Sequence, residues 1–123
     1  MEIEMSALPK TWILDLDGTV VRHNGYKTDG RDSLLENADR LLSQIREEDM
    51  LIFVTSRKRE YKEMTERFLD ENGIRYDHII YEAPCGERIL VNDEKPSGLR
   101  TAYAINTRRN EICTAQVTAN PAL

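Results

Sequence analysis

The chain has 123 residues, of which 40% are hydrophobic and 32% are charged, and its formal net charge is −5. This length suits a single domain, residues 1–123, with its own core, and no apolar run could cross a bilayer. The acidic balance argues against nonspecific nucleic-acid binding, which needs basic surface. The two cysteines have no metal-ligand spacing and the N-terminus is acidic. These features predict a cytoplasmic protein with reduced thiols.

Short apolar runs predict the strands of a parallel sheet, the first of them buried on both faces. They cover residues 12–16, 50–54, 78–81 and 88–91, with an edge strand at 103–106. Apolar residues at helical spacing predict one helix over 34–45, capped by Asp32 or Ser33, and a second that stops at Asn72-Gly73. Strands that alternate with helices indicate an α/β domain of three layers.

Two further segments complete the predicted organisation. Asn24-Gly25 lies between β-prone runs, a pattern that predicts a small β-hairpin flap above the first strand's carboxyl end. The folded core is expected over about residues 11–108. The tail from 111 to 123 carries no clear signal, and we expect it to be disordered.

Polar side chains follow three of the predicted strands. Asp15 and Asp17 end the first, Thr55 and Ser56 end the second, and Asp93 follows the strand at 88–91. Ligands bind at the carboxyl ends of strands in open parallel sheets, so these side chains are expected to share one crevice. The first two clusters also have a simpler explanation, since Asp17-Gly18 can form an exit turn and Thr55 can cap a helix.

In this order, the motifs resemble those of the haloacid dehalogenase superfamily of phosphotransferases. The segment from Asp15 to Val20 is similar to its first motif, Thr55 to its second, and Asn92-Asp93 to its acidic fourth motif. The resemblance implies a three-layer Rossmann-like fold and a Mg²⁺-dependent phosphomonoesterase. Asp15 would be the nucleophile that forms an aspartyl-phosphate, and Asp17 the general acid and base.

The remaining roles combine this resemblance with simple chemistry. Asp15, the main-chain carbonyl of Asp17, and Asp93 would hold Mg²⁺, which prefers oxygen ligands. Thr55 would bind a phosphoryl oxygen. A catalytic cation is also needed, and the sequence offers Lys95 or Arg88; we favour Lys95 because it follows a strand's carboxyl end. Further substrate contacts are assigned to Gly18, Ser56, Arg57 and Arg88.

The spacing of the motifs leaves no room for a cap domain, since 37 residues separate Asp17 from Thr55 and 37 separate Thr55 from Asp93. Capless members of this superfamily tend to act on larger molecules or borrow a neighbouring subunit as a lid, so the resemblance implies a homo-oligomer such as a tetramer. The segment 92–98 resembles phosphatases of sugar phosphates in polysaccharide synthesis. A small phosphorylated metabolite is therefore the expected substrate. A polynucleotide or protein phosphatase, or a noncatalytic phosphate- or metal-binding regulatory domain, is the alternative.

Overall fold

The structure, a computed structural model, describes residues 1–123 as a small α/β fold with two parallel sheets. Its strands are β1 Glu2–Met5, β2 Thr11–Asp15, β3 Met50–Val54, β4 His78–Ile80 and β5 Gln116–Ala119. Its helices are α1 Gly25–Thr28, α2 Ala38–Leu42 and α3 Lys62–Glu71, the last preceded by a 3₁₀ turn at Arg59–Tyr61. None of these helices has the length and apolar character needed to span a membrane.

The main sheet has the order β2-β3-β4, and all three strands are parallel. β-Branched and aromatic residues favour these strands, and the strand predictions at 50–54 and 78–81 are confirmed to within one residue. In β2, Ile13 is half exposed, so this strand is not buried on both faces as expected. The register places Asp15 beside Val54, which brings the carboxyl ends of β2 and β3 together.

The core lies against the main sheet and the loop after β2. Its buried members are Leu16, Val20, Val21, Leu41, Leu51, Phe53, Leu69 and Ile74. α3 contributes Leu69 and packs the partly buried Phe68 against this cluster. It ends where predicted, because Gly73 takes up the left-handed conformation, φ +66°, that helix ends commonly require.

Two expectations about the segment between β2 and β3 are wrong. Asn24-Gly25 does not form a hairpin turn, because Gly25 begins α1 and Tyr26 is buried. Instead, Val21 pairs antiparallel with Leu34 across a longer loop. The predicted helix over 34–45 is reduced to α2, because Asn37 adopts a left-handed conformation just before it. Asp32 is used elsewhere and does not cap a helix.

The C-terminal third also departs from expectation. Residues 88–91 and 103–106 form no strand, and Ile89 and Val91 are 86% and 88% exposed. An apolar run becomes a strand only where a neighbouring strand accepts its hydrogen bonds, and none does so here. The tail is ordered rather than disordered, since β5 pairs in parallel with β1. Gln44, which lies just after α2, contacts the second sheet through hydrogen bonds with Ala115 and Val117.

Candidate active site

The site lies where the loops after β2 and β3 meet. Because β2 and β3 are adjacent and parallel, Asp15 and Asp17 come to the same sheet edge as Thr55. Gly18 makes the tight turn after the aspartates with φ +82°, a conformation that strains other residues. The predicted convergence of the first two polar clusters is therefore found.

Asp15 is half exposed and accepts two hydrogen bonds. One oxygen, Oδ1, accepts from Nη1 of Arg88 at 2.9 Å, and the other, Oδ2, accepts from the Thr19 hydroxyl at 3.0 Å. The side chains of Asp15 and Arg88 are 38% and 39% exposed. This ion pair is open to solvent, and a ligand could displace the guanidinium from one oxygen.

Asp17 is held by a buried arginine. Nε and Nη2 of Arg57 donate to its two carboxylate oxygens at 3.0 and 2.9 Å. On its other edge, Arg57 donates from Nη1 at 2.9 Å and from Nη2 at 2.6 Å to the two oxygens of Asp32. Two carboxylates therefore share one guanidinium, and we call these three residues the Arg57 triad.

Every N–H of the Arg57 guanidinium is used, because Nη1 also donates to the Thr65 hydroxyl at 2.8 Å. The face of Tyr26 lies 4.0 Å from the guanidinium carbon, within range of a cation–π contact. Burial alone would lower the pKa of Arg57, but hydrogen bonds to Asp32 and Asp17 outweigh it and raise the pKa. Arg57 has no donor left for a substrate, which corrects the expectation that it contacts one.

Thr55 and Ser56 offer donors beside the carboxylates. The main-chain N–H of Thr55 is already used, because it donates to the carbonyl of Ile80 at 2.9 Å. Its hydroxyl oxygen accepts from the N–H of Arg57 at 3.1 Å, which leaves the hydroxyl hydrogen free to donate. The N–H groups of Ser56 and Asp17 donate no hydrogen bond within the chain. Such donors suit an anionic oxygen.

A late segment of the chain packs against the loop after β2. Asn110 donates its N–H to the carbonyl of Gly18 at 2.8 Å, and its side-chain oxygen accepts from the N–H of His23 at 2.8 Å. A Cβ at Gly18 would lie 3.2 Å from Cγ of Arg109. Arg109, which is exposed, therefore lies next to the aspartate loop.

No hydrogen bond or ion pair joins Asp93 or Lys95 to the residues of this site. Asp93 is exposed, and its main chain bonds with Asn92 and Thr101. Lys95 is exposed too, and its main chain closes a turn with Gly98 and Leu99. The cation that contacts Asp15 is Arg88, so our preference for Lys95 is not met by this arrangement.

The expected magnesium ligands are only partly assembled. No three Asp, Glu, His or Cys side chains are arranged to hold a metal ion. Asp15 provides a carboxylate, and the main-chain carbonyl of Asp17 accepts no hydrogen bond, but the third predicted ligand, Asp93, does not form a metal-holding group with them. The residues at the sheet edge therefore do not by themselves complete the predicted metal site.

Several residues that shape the site have no clear local signal in the sequence. Asp32 precedes an apolar helical pattern, where an aspartate normally caps the helix. Tyr26 and Thr65 carry no local signal for contact with Arg57. Gly18 is contacted by Arg109 and Asn110, which lie more than 90 positions later in the chain. The only sequence signal for these two residues is a short basic and polar run near the end of the predicted core.

Comparison with protein-family models and with curated proteins finds no match. Among solved structures, a chain of a Pnkp1/Rnl/Hen1 complex is similar, with a TM-score of 0.52 and 31% identity over 68% of this chain. A chain of the Pnkp1/Rnl/Hen1 RNA repair complex gives a TM-score of 0.52 and 32% identity over 70% of this chain. This chain spans 31% and 30% of the length of those two chains. Proteins similar to this α/β chain thus occur within an RNA repair complex.

Proposed function

We propose that this chain is a phosphomonoester hydrolase of the haloacid dehalogenase superfamily, with the three-layer Rossmann-like arrangement of that group. The observation that carries the proposal is the placement of Asp15, Asp17 and Thr55 at adjacent carboxyl ends of β2 and β3. A nucleophile, an acid and base, and a hydroxyl donor at one edge are what transfer of a phosphoryl group requires. Similarity to chains of an RNA repair complex supports an enzymatic role.

In the proposed reaction, a carboxylate oxygen of Asp15 attacks phosphorus and forms an aspartyl-phosphate. The bond between phosphorus and the ester oxygen breaks, and that oxygen leaves with the electron pair and takes a proton from Asp17. Water then attacks the phosphorus of the aspartyl-phosphate and gives a proton to Asp17. The bond between phosphorus and the Asp15 oxygen breaks, so that inorganic phosphate leaves and the Asp15 carboxylate is restored. Each carboxylate oxygen of Asp17 keeps a second lone pair that can carry this proton while Arg57 donates to the first.

The charge of the phosphoryl group must be neutralised during transfer. Arg88 lies 2.9 Å from Asp15, and we assign it the role of the catalytic cation in place of Lys95. The Thr55 hydroxyl and the N–H of Ser56 would donate to phosphoryl oxygens. Gly18 would let the substrate approach the main chain closely, because it has no side chain.

A requirement for Mg²⁺ is also part of the proposal, because magnesium prefers carboxylate and carbonyl oxygens. Asp15 and the carbonyl of Asp17 would supply two such oxygens, and the cation would neutralise phosphoryl charge. We expect EDTA to abolish turnover and added Mg²⁺ to restore it. Turnover that is unaffected by EDTA would refute the metal requirement and leave the roles of the side chains standing.

The test of the proposed activity is hydrolysis of p-nitrophenyl phosphate by the purified chain. We expect Asp15→Asn to abolish turnover, because an amide cannot form the aspartyl-phosphate. Asp39→Asn is the matched control, since this exposed aspartate of α2 lies outside the site, and it should leave turnover unchanged. Turnover retained by Asp15→Asn, or no turnover by the wild type on a broad panel of phosphate esters, would refute the proposal.

A second candidate is a phosphatase of polynucleotide ends. The similarity to chains of an RNA repair complex favours it, and so do the exposed cations Arg88 and Arg109 beside the site. No comparison supports the sugar-phosphate substrate, which stays a prediction. To distinguish a polynucleotide phosphatase from a sugar-phosphate phosphatase, kcat/KM would be measured for RNA oligonucleotides with a 3′- or 5′-terminal phosphate and for a panel of sugar phosphates. Higher values for the sugar phosphates would reject the polynucleotide candidate.

A homo-oligomer, in which a neighbouring subunit covers the site, also stays a prediction. Light scattering coupled to size-exclusion chromatography measures the mass in solution directly. A mass of one chain, 14.2 kDa, at concentrations that support full activity would reject a subunit lid.

A further inference from the structure

We infer that Asp32 is a positioning residue that acts through Arg57 to fix the orientation of the Asp17 carboxylate. This inference rests on the proposed function, in which Asp17 transfers protons. It concerns a residue that would touch neither the substrate nor the reacting atoms.

The planar shape of the guanidinium makes this control direct. Arg57 presents one edge, Nε and Nη2, to Asp17, and the adjacent edge, Nη1 and Nη2, to Asp32. Both edges belong to one rigid plane, so the two oxygens of Asp32 set the direction in which the other edge points. The orientation of the Asp17 carboxylate thus follows from the position of Asp32.

Further contacts remove the remaining freedom of the guanidinium. Thr65 accepts from Nη1 at 2.8 Å, and its own hydroxyl donates to the Tyr61 carbonyl at 2.7 Å. The ring of Tyr26 covers one face of the guanidinium at 4.0 Å and makes an edge contact with Tyr61. Arg57 is therefore fixed within its plane and against tilting.

The Asp17 end of the triad is the one open to solvent. The side chain of Arg57 is fully buried and that of Asp32 is 2% exposed, whereas that of Asp17 is 16% exposed. Asp32 is itself placed by main-chain pairing of its loop, in which Arg22 and Ser33 share a hydrogen bond of 3.0 Å. The buried carboxylate thus serves as the fixed point, and the partly exposed one is directed toward the site.

Asp32 also balances charge. Two carboxylates share the one positive charge of the buried guanidinium, with Arg57 Nη2 at 2.9 Å from Asp17 and 2.6 Å from Asp32. A purely structural triad would also be buried and paired, so the test must measure proton transfer rather than stability.

Dependence on the leaving group provides this measurement. p-Nitrophenolate leaves without much help from an acid, whereas phenolate, which has nearly the same shape, needs a proton. A misoriented Asp17 therefore slows hydrolysis of phenyl phosphate more than that of p-nitrophenyl phosphate. Loss of folded protein, in contrast, lowers both rates by the same factor.

We would measure kcat/KM for both esters in Asp32→Asn and Arg57→Lys, with Asp39→Asn as the control. Because general acid catalysis contributes about 10²–10⁴-fold, we expect a loss about tenfold greater for phenyl phosphate in both variants. Lysine keeps the charge but cannot bridge two carboxylates with a planar fork. Thr65→Val removes one contact with Nη1 and keeps every charge. In this variant too, kcat/KM should fall more for phenyl phosphate than for p-nitrophenyl phosphate, but by a smaller factor.

A second comparison uses Asp17→Asn as the background. If Asp32 acts through Asp17, adding Asp32→Asn to Asp17→Asn should not change the ratio of kcat/KM for phenyl phosphate to that for p-nitrophenyl phosphate any further. Equal losses for both esters in Asp32→Asn and Thr65→Val would overturn the inference, while turnover that depends on Asp15 would keep the proposed function. Absence of turnover in the wild type would overturn both.

Discussion

Asp15 and Asp17 are two residues apart, and each accepts hydrogen bonds from an arginine, but their surroundings differ. Arg57 is fully buried and binds Asp17 through two hydrogen bonds, whereas Arg88 is 39% exposed and binds Asp15 through one. Arg57 comes from the loop after β3, inside the well-packed half of the chain. Arg88 comes from a long segment without helices or strands.

This difference matches the two tasks proposed for the carboxylates. A group that transfers protons benefits from a fixed orientation, which burial and several contacts provide. A nucleophile that must meet phosphorus, and a cation that must meet phosphoryl oxygens, need access for the substrate. The contrast teaches that the same residue pair, an aspartate and an arginine, stabilises the fold in one place and leaves a surface for binding in the other.

The largest effect on stability is expected for the buried side of this comparison. Arg57→Ala would leave Asp17 and Asp32 close together without their shared counterion, and we expect a loss of about 3–5 kcal/mol in the free energy of unfolding. Chemical denaturation followed by circular dichroism measures it. The control is Arg59→Ala, because Arg59 is 75% exposed. A loss for Arg57→Ala no larger than that control would show that the triad contributes nothing to the fold.

Asp49 extends the comparison to a buried carboxylate that has no arginine partner. It accepts from the N–H groups of Lys10 and Arg46 and from the Trp12 indole at 2.9–3.0 Å. Asp49→Ala leaves these donors without a partner, and we expect a loss of about 2–4 kcal/mol in the free energy of unfolding. An effect as small as that of Asp39→Ala, an exposed aspartate, would contradict the assigned role.

The contribution of Asp49 to the free energy of unfolding should also depend on pH. Burial by itself would raise its pKa, but hydrogen bonds from Lys10, Arg46 and Trp12 outweigh burial and lower the pKa from 3.8. Because the folded pKa lies below the unfolded one, the stabilisation is complete above about pH 3.8 and is lost as pH falls through the folded value. The difference in unfolding free energy between wild type and Asp49→Asn should therefore shrink at acid pH. A difference that grows on acidification would contradict this sign.

The smallest effect on stability is expected on the exposed side. Arg88→Ala removes a solvent-exposed ion pair, and we expect a change of at most about 0.5 kcal/mol in the free energy of unfolding. Its kcat/KM for p-nitrophenyl phosphate should fall far more than that of Lys95→Ala, because Arg88 is the cation beside Asp15. The reverse ranking of the two variants would return the catalytic cation to Lys95.

The sequence allowed the three strands of the main sheet and the first part of the site to be predicted, because those features depend on local patterns. The strands at 50–54 and 78–81, the end of α3, and the meeting of Asp15, Asp17 and Thr55 all follow from apolar runs and parallel order. Asp32 could not be assigned, since a helix cap and an ion-pair partner have the same local sequence. Its partner Arg57 lies 25 positions later.

The wrong predictions have the same kind of cause. The Asn24-Gly25 pattern favours a hairpin locally, but burial of Tyr26 against Arg57 favours α1. Residues 88–91 have the composition of a strand, and nothing in that composition tells whether a neighbouring strand is available. The partner of β5 is β1, at the opposite end of the chain, which no local pattern indicates.

The segment between residues 84 and 109 is attached at both ends to the loops of the site. At its start, the N–H of Ala83 donates to the Thr55 carbonyl, and at its end, Asn110 donates to the carbonyl of Gly18. Closing a loop between two fixed points costs only about 0.6 kcal/mol more for each doubling of its length. Insertions and deletions within this segment are therefore inexpensive for the fold. Changes in the length of this segment could therefore alter the surface around Asp15 while the Arg57 triad stays unchanged.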